Sequence, residues 1–262
     1  MLLLRSLQES RSLFPPISKH NCGSRQWQST TSPGPETPSS LLQPTSNTPN
    51  HQDLPSFLSY AARTGLNPTS TVYVGTHYEY TVLNSLRRLH LSLTRVGGRS
   101  DAGIDLVGHW HVPPDAPHPL RVLVQCKALK DKAKPSLVRE LGGMFAGAPA
   151  GWRSDRVVGM LVSSREATGG VREALGRSSW PLVWALVGLD GGVRQCLWNR
   201  RAVEVGLDGV GVTVRYLPQR RGGEGGEGVR SEVALTWKGE VMAEPKSVDG
   251  GSLVVSDGPD RG

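Results

Sequence analysis

The chain has 262 residues, a formal net charge of +7 and an isoelectric point near 9.6. No apolar run approaches the ~18 residues of a membrane span, and Gly has no every-third-residue period, so a collagen-like rod is excluded. Hydrophobic residues make up 37%, diluted by 32 Gly and 19 Pro, which implies one ordered core with low-complexity flanks. The cysteines Cys22, Cys126 and Cys196 form no CxxC pair and cannot build a disulfide framework, which points to a reducing compartment.

Residues 1–30 set Arg5, Arg11, Lys19 and Arg25 against a single acid, Glu9. Basic, Ser-rich and acid-poor is the composition of a mitochondrial presequence, and the expected destination is the matrix. Leu2–Leu4 is too short for a secretory apolar region. Residues 31–56 are rich in Ser, Thr and Pro, and 31–70 is read as a flexible linker. Residues 71–217 carry most of the periodic apolar pattern and form the expected folded domain. Residues 218–262 are read as a polar extension that opens on the Gly-rich stretch 218–228 and contains a strand-like run, Val233–Trp237. Between 71 and 175 the chain holds 14 Lys and Arg against 9 Asp and Glu. That excess suits a polyanion such as nucleic acid.

In chain order, Tyr78, Val82, Leu83, Leu86 and Leu89 predict a helix over 76–91. Strands follow at 93–96, 104–111 and 120–127, with turns at 97–103 and 113–117. Pro135 opens a helix to about Phe145. Val157–Ser163 is an apolar strand, 167–178 a Gly-weakened helix, and 182–189 another apolar strand. Asp190-Gly191-Gly192 turns the chain into the strand 193–198. The order α-β-β-β-α-β-α-β-β predicts an α/β sandwich: a mixed sheet flanked by helices.

One strand carries chemistry. Along 120–127 the even positions Leu120, Val122, Val124 and Cys126 share one face. Gln125 and Lys127 project together from the other, about 7 Å apart. Asp105 lies between two apolar neighbours, an awkward place for a carboxylate without a metal or a partner. Glu79 shares the core-facing side of its helix with Val82, Leu83 and Leu86, so it lies at the helix edge or is drawn to a cation. His109 and His111 share a strand face but have no acid at ligand spacing. Lys127 beside Cys126 could lower the thiol pKa, yet Cys126 lies on the core face.

The run Gly98-Arg99-Ser100-Asp101-Ala102-Gly103-Ile104-Asp105-Leu106, followed by Val124-Gln125-Cys126-Lys127-Ala128, resembles the restriction-endonuclease-like fold, in the branch of methylated-DNA restriction enzymes. With the presequence, the domain is most similar to the fungal mitochondrial family called required for respiratory growth protein 7. The resemblance covers about residues 75–198. It implies Mg²⁺-assisted phosphodiester hydrolysis with Asp105, Gln125 and Lys127 as catalytic residues. It implies that Asp105 and the Cys126 backbone carbonyl hold the metal, and that Glu79 completes the shell through water. The flanking Arg99, Lys130, Lys132 and Lys134 become candidate nucleic-acid contacts. Gln125 departs from the Asp or Glu of many relatives of the fold and lowers the negative charge at the metal. A non-catalytic nucleic-acid-binding factor that keeps the fold is the competing reading. A scaffold that binds only protein has no support in the sequence. Oligomeric state is not legible, with a dimer as one option.

The N-terminal reading is testable on its own. A fusion of residues 1–50 to a reporter is expected to enter mitochondria, and Arg5→Glu/Arg11→Glu to leave it in the cytosol.

Overall fold

A computed structural model describes residues 50–96, 103–149, 151–153, 156–219 and 228–245. The expected presequence, most of the Gly-rich stretch and the turn at Ser100-Asp101-Ala102 lie outside the described residues.

Helix α1 (Leu54–Thr64) falls inside the segment read as linker. Its ends explain why it forms. The Asp53 carboxylate accepts the Ser56 N–H at 2.8 Å, the Ser56 hydroxyl returns to Asp53, and Pro55 fits the first turn. Gly65 closes the helix at φ 64°, a left-handed cap that favours glycine. Helix α2 (Thr71–Leu86) starts five residues before the expected point because the Ser70 hydroxyl caps it, accepting from Tyr73 N–H at 3.2 Å. Tyr78, Val82, Leu83 and Leu86 are buried along it, at the spacing read from the sequence.

Six strands form one sheet in sequence order: β1 (Leu91–Arg95), β2 (Leu106–Trp110), β3 (Leu120–Lys127), β4 (Val157–Ser163), β5 (Leu182–Val187) and β6 (Val193–Trp198). The β1–β2, β2–β3 and β5–β6 pairs are antiparallel; β3–β4 and β4–β5 are parallel. Each parallel pair needs a crossover, and α3 (Ser136–Gly147) and α4 (Gly169–Arg177) supply them. The chain is therefore mixed α/β, in the element order predicted from the apolar periods. No solved structure matches it. Among the described residues no helix is long and apolar enough to cross a membrane.

The sheet is covered on both faces. One face packs Leu106, Val122, Val124, Met160 and Val162 against α2 and against Val233 and Leu235. The other packs Val107, Leu123, Leu161 and Trp184 against Val138, Leu141, Val171 and Leu175 of α3 and α4. A second sheet, β7 (Val210–Gln219), β8 (Gly228–Trp237) and β9 (Glu240–Val241), contributes those valine and leucine side chains to the first core. The region read as a polar extension thus holds two strands. Glu232 of β8 is buried and takes Arg88 Nη1 at 2.6 Å, which fastens the 3-10 turn after α2 to the second sheet.

Two glycines separate crowding from freedom. A Cβ on Gly108 in β2 would collide with the Ser92 carbonyl and lie 2.8 Å from Leu93 Cα, both backbone. Gly108→Ala is therefore expected to cost about 3 kcal/mol, because a strand has to shift. Gly143, exposed in α3 with nothing within 4 Å of a built Cβ, is expected to gain about 0.5–1 kcal/mol as Ala. Opposite shifts in thermal midpoint are the expected result.

Candidate functional site

The site forms where β3 outruns β2. Their ladder ends at Leu106 opposite Val124, so Asp105 is the residue before the strand and not its second residue. Asp105 is still fixed by its backbone. Its N–H donates to the Val124 carbonyl and its carbonyl accepts from Val96 N–H, both at 2.9 Å. Beyond that point β2 no longer faces Cys126, and on that side the Asp105 side chain takes over: Oδ2 accepts the Cys126 N–H at 2.6 Å. The acid and the Gln125–Lys127 segment, read from sequence as one constellation, are thus joined directly. By strand geometry the Cys126 carbonyl lies on the same side as its N–H, toward Asp105.

Gln125 and Lys127 share the face of Leu123, as their period predicts, but that face is not uniform. Leu123 is fully buried in the second core, so odd positions in β3 do not all serve function. Gln125 is 7% exposed, and its Oε1 is buried without a hydrogen-bond partner. Its Nε2 lies 2.6 Å from where a Cβ on Gly103 would stand, and Gly103 has φ 79°. Any side chain at 103 would strain the backbone and push the amide away. Lys127 is partly exposed. Its carbonyl receives Leu129 and Ser164 N–H groups, and no described residue hydrogen-bonds or ion-pairs with its ammonium.

Glu79, which the resemblance implies completes the metal shell through water, carries an ion pair. Its Oε2 receives the Nε–H of Arg95, the last residue of β1, and both side chains are largely buried. Sequence reasoning placed Glu79 on the core side, at the helix edge or drawn to a cation, and did not single out Arg95. The two are 16 residues apart, and no spacing rule links a helix to the following strand.

Four charged groups surround the Cys126 thiol. Burial pushes the thiol well above its usual range, and the nearby Asp105 and Glu79 carboxylates push it further. Arg95 and Lys127 oppose that shift without reversing it, so the expected lowering by Lys127 does not win. The thiol packs against the first core as a small apolar group. His109 and His111 are not a metal pair. His109 lies against Trp152 with ring centroids 5.5 Å apart, and His111 Nε2 meets the Ser92 hydroxyl at 3.1 Å. Burial lowers the pKa of both.

Among the proposed nucleic-acid contacts, Arg99 lies outside the described residues. Lys130, Lys132 and Lys134 are exposed on the loop after β3. Ser164, Arg165 and Thr168 hold that loop by bonds to the carbonyls of Leu129, Lys130 and Ala133 at 3.1, 2.8 and 3.2 Å.

Among the described residues no three His, Cys, Asp or Glu side chains converge as metal ligands. The oxygen donors are the Asp105 carboxylate, the unpartnered Gln125 Oε1 and the Cys126 carbonyl. That sparse set of hard oxygens fits Mg²⁺, which keeps several waters and needs few carboxylates. It does not fit a soft-metal centre.

The model of the family described as "Required for respiratory growth protein 7" matches residues 70–117 and 113–216, more than half of the chain. A mitochondrial protein of Schizosaccharomyces pombe is 30% identical over 158 residues, 59% of this chain and 62% of that protein. The chain therefore aligns with less than two thirds of that relative. Required for respiratory growth protein 7, mitochondrial, of Saccharomyces cerevisiae is 26% identical over 174 residues, 51% of this chain and 72% of the relative. Its namesake in Zygosaccharomyces rouxii is 31% identical over 133 residues, covering 36% and 55%. Asp105, Gln125 and Lys127 all fall inside the matched span.

The two described thiols give a direct check on the packing of the site. With Cys22 replaced by Ser, Cys126 and Cys196 are expected to resist a thiol reagent at pH 8 in the folded protein. Burial places the Cys196 pKa at about 12 and raises Cys126 likewise. Both should react at once in denaturant; rapid native labelling of Cys126 would show that the strand end is open.

Proposed function

Because the chain belongs to the Required for respiratory growth protein 7 family, we propose that it is a mitochondrial matrix protein needed for respiratory growth, with a restriction-endonuclease-like core that cleaves nucleic acid phosphodiesters. One observation carries this reading: the Asp105 carboxylate is bonded to the backbone of the Gln-x-Lys strand, which brings Asp105 and Lys127 to one sheet end. Presequence composition and the names of the relatives support the location.

Asp105, the Gln125 amide oxygen and the Cys126 carbonyl would hold Mg²⁺. When bound, the ion polarises a phosphoryl oxygen and lowers the pKa of a coordinated water. The remaining work belongs to side chains. Lys127 orients the attacking water and offsets negative charge that grows on the phosphoryl oxygens in the transition state. Asp105 is kept aligned because the Cys126 N–H holds its Oδ2. Lys130, Lys132 and Lys134, on a loop fastened beside Lys127, neutralise the flanking phosphates.

A second reading has its own observation. Glu79 is paired with Arg95 and position 125 is a neutral amide, which leaves the site poor in carboxylates for a metal. A factor that binds nucleic acid without cutting it needs no more than this.

The full chain, with Mg²⁺ or Mn²⁺, is to be tested on single- and double-stranded DNA and RNA. Cleavage is expected to fall about 10²-fold or more in Lys127→Ala and in Asp105→Asn, with thermal midpoints near wild type. Val124→Asp, which buries an unpaired charge in the first core, is expected to unfold the protein. No cleavage by wild type with either ion, together with salt-sensitive binding, would leave the second reading.

A further inference from the structure

Arg95 is held more firmly than an ordinary surface arginine, yet part of its guanidinium has no partner. Its Nε–H is taken by Glu79. Its guanidinium carbon lies 5.7 Å from the Tyr80 ring centroid, a cation–π distance. Tyr80 is itself pinned: its hydroxyl donates to the His51 carbonyl at 3.1 Å and lies 2.8 Å from His51 Nδ1. The Arg95 side chain is 10% exposed, and its Nη1 is buried with no hydrogen bond. Leaving such a charged donor unsatisfied costs about 1–3 kcal/mol or more, so the group calls for an explanation.

Its position supplies one. Arg95 ends β1 opposite Leu106, and the next N–H, of Val96, bonds to Asp105. Arg95 and Asp105 lie close enough to Cys126 for both charges to act on its thiol. The guanidinium therefore belongs to the same sheet end as Asp105 and Lys127. A planar, always-charged fork with a free N–H matches a phosphate oxygen better than any neutral group does. Glu79 fixes the fork by Nε and leaves the buried Nη1 without an acceptor.

We propose that Arg95 binds a phosphate oxygen of the nucleic acid through Nη1, and that Glu79 acts through it as a positioning residue and not as a metal ligand. This rests on the nucleic-acid reading above. It assigns the helix acid to substrate alignment, and it links α1 to the site through His51 and Tyr80. Nη1 is covered in the free protein, and a phosphate oxygen that displaces its cover gives it the acceptor it lacks.

The test uses the full chain and two labelled probes, a DNA duplex and a single-stranded RNA, with affinity followed over about 50–200 mM salt. The double variant Glu79→Gln/Arg95→Met removes both charges together, so no unpaired ion is left buried. Its slope of log affinity against log salt is expected to be shallower than wild type by about 0.9 on duplex DNA, one phosphate contact. Glu79→Gln alone should keep the wild-type slope. A folded double variant with wild-type affinity and slope would make the pair purely structural and overturn the proposal. Should the double variant fail to melt cooperatively, Arg95→Lys decides: it keeps the charge and loses the fork. A drop of about tenfold in affinity is then expected, and unchanged affinity overturns the proposal. A wild type that binds neither probe at the lowest salt overturns both this assignment and the proposed function. Binding by wild type with no response in these variants overturns this assignment alone.

Discussion

The Asp105 carboxylate bound to the Cys126 N–H is the interaction on which the site depends. β2 stops one residue short of Asp105 while β3 continues to Lys127, so the last backbone donor of β3 on that side has no strand to meet. A buried N–H without a partner is costly, and a carboxylate is a strong acceptor for it. One side chain thus closes the ladder and brings a negative charge to the sheet end. Strand lengths, loop entry at Gly103 and the placement of Lys127 all follow from where that ladder stops.

Among the described residues, the charges at this end oppose one another. Glu79 and Arg95 cancel locally, Asp105 and Lys127 oppose each other, and Gln125 is uncharged. The surrounding Lys130, Lys132 and Lys134 are exposed on the loop after β3 and carry the positive charge near this sheet end. The Cys126 thiol, between these groups, stays protonated and serves as packing.

The apolar periods made the sheet legible. The strand over 120–127 and its two faces follow from simple alternation, and the element order follows from runs of Val, Leu and Ile broken by Gly and Pro. Leu123 shows the limit of that logic. β3 is a central strand covered on both faces, by one core on each, so parity separates two faces but does not say which is wet. Helix α1 was hidden by composition: its Asp53, Pro55, Ser56 and Gly65 are helix-ending signals, but they sit in a stretch of Ser, Thr and Pro that reads as linker. The Arg95–Glu79 pair was not legible at all, because only the packing of α2 on β1 brings those positions together. The restriction-endonuclease-like reading of the site rests on motif spacing, and the roles given to its residues remain the reading proposed above.

His51 lies ahead of α1 and outside the residues the family model matches, yet it holds the tyrosine on which Arg95 rests. This sets a boundary for maturation. A peptidase that trims a presequence from this chain has to stop upstream of His51, and upstream of the Asp53 cap, or the mature protein loses the far end of a relay that reaches the site.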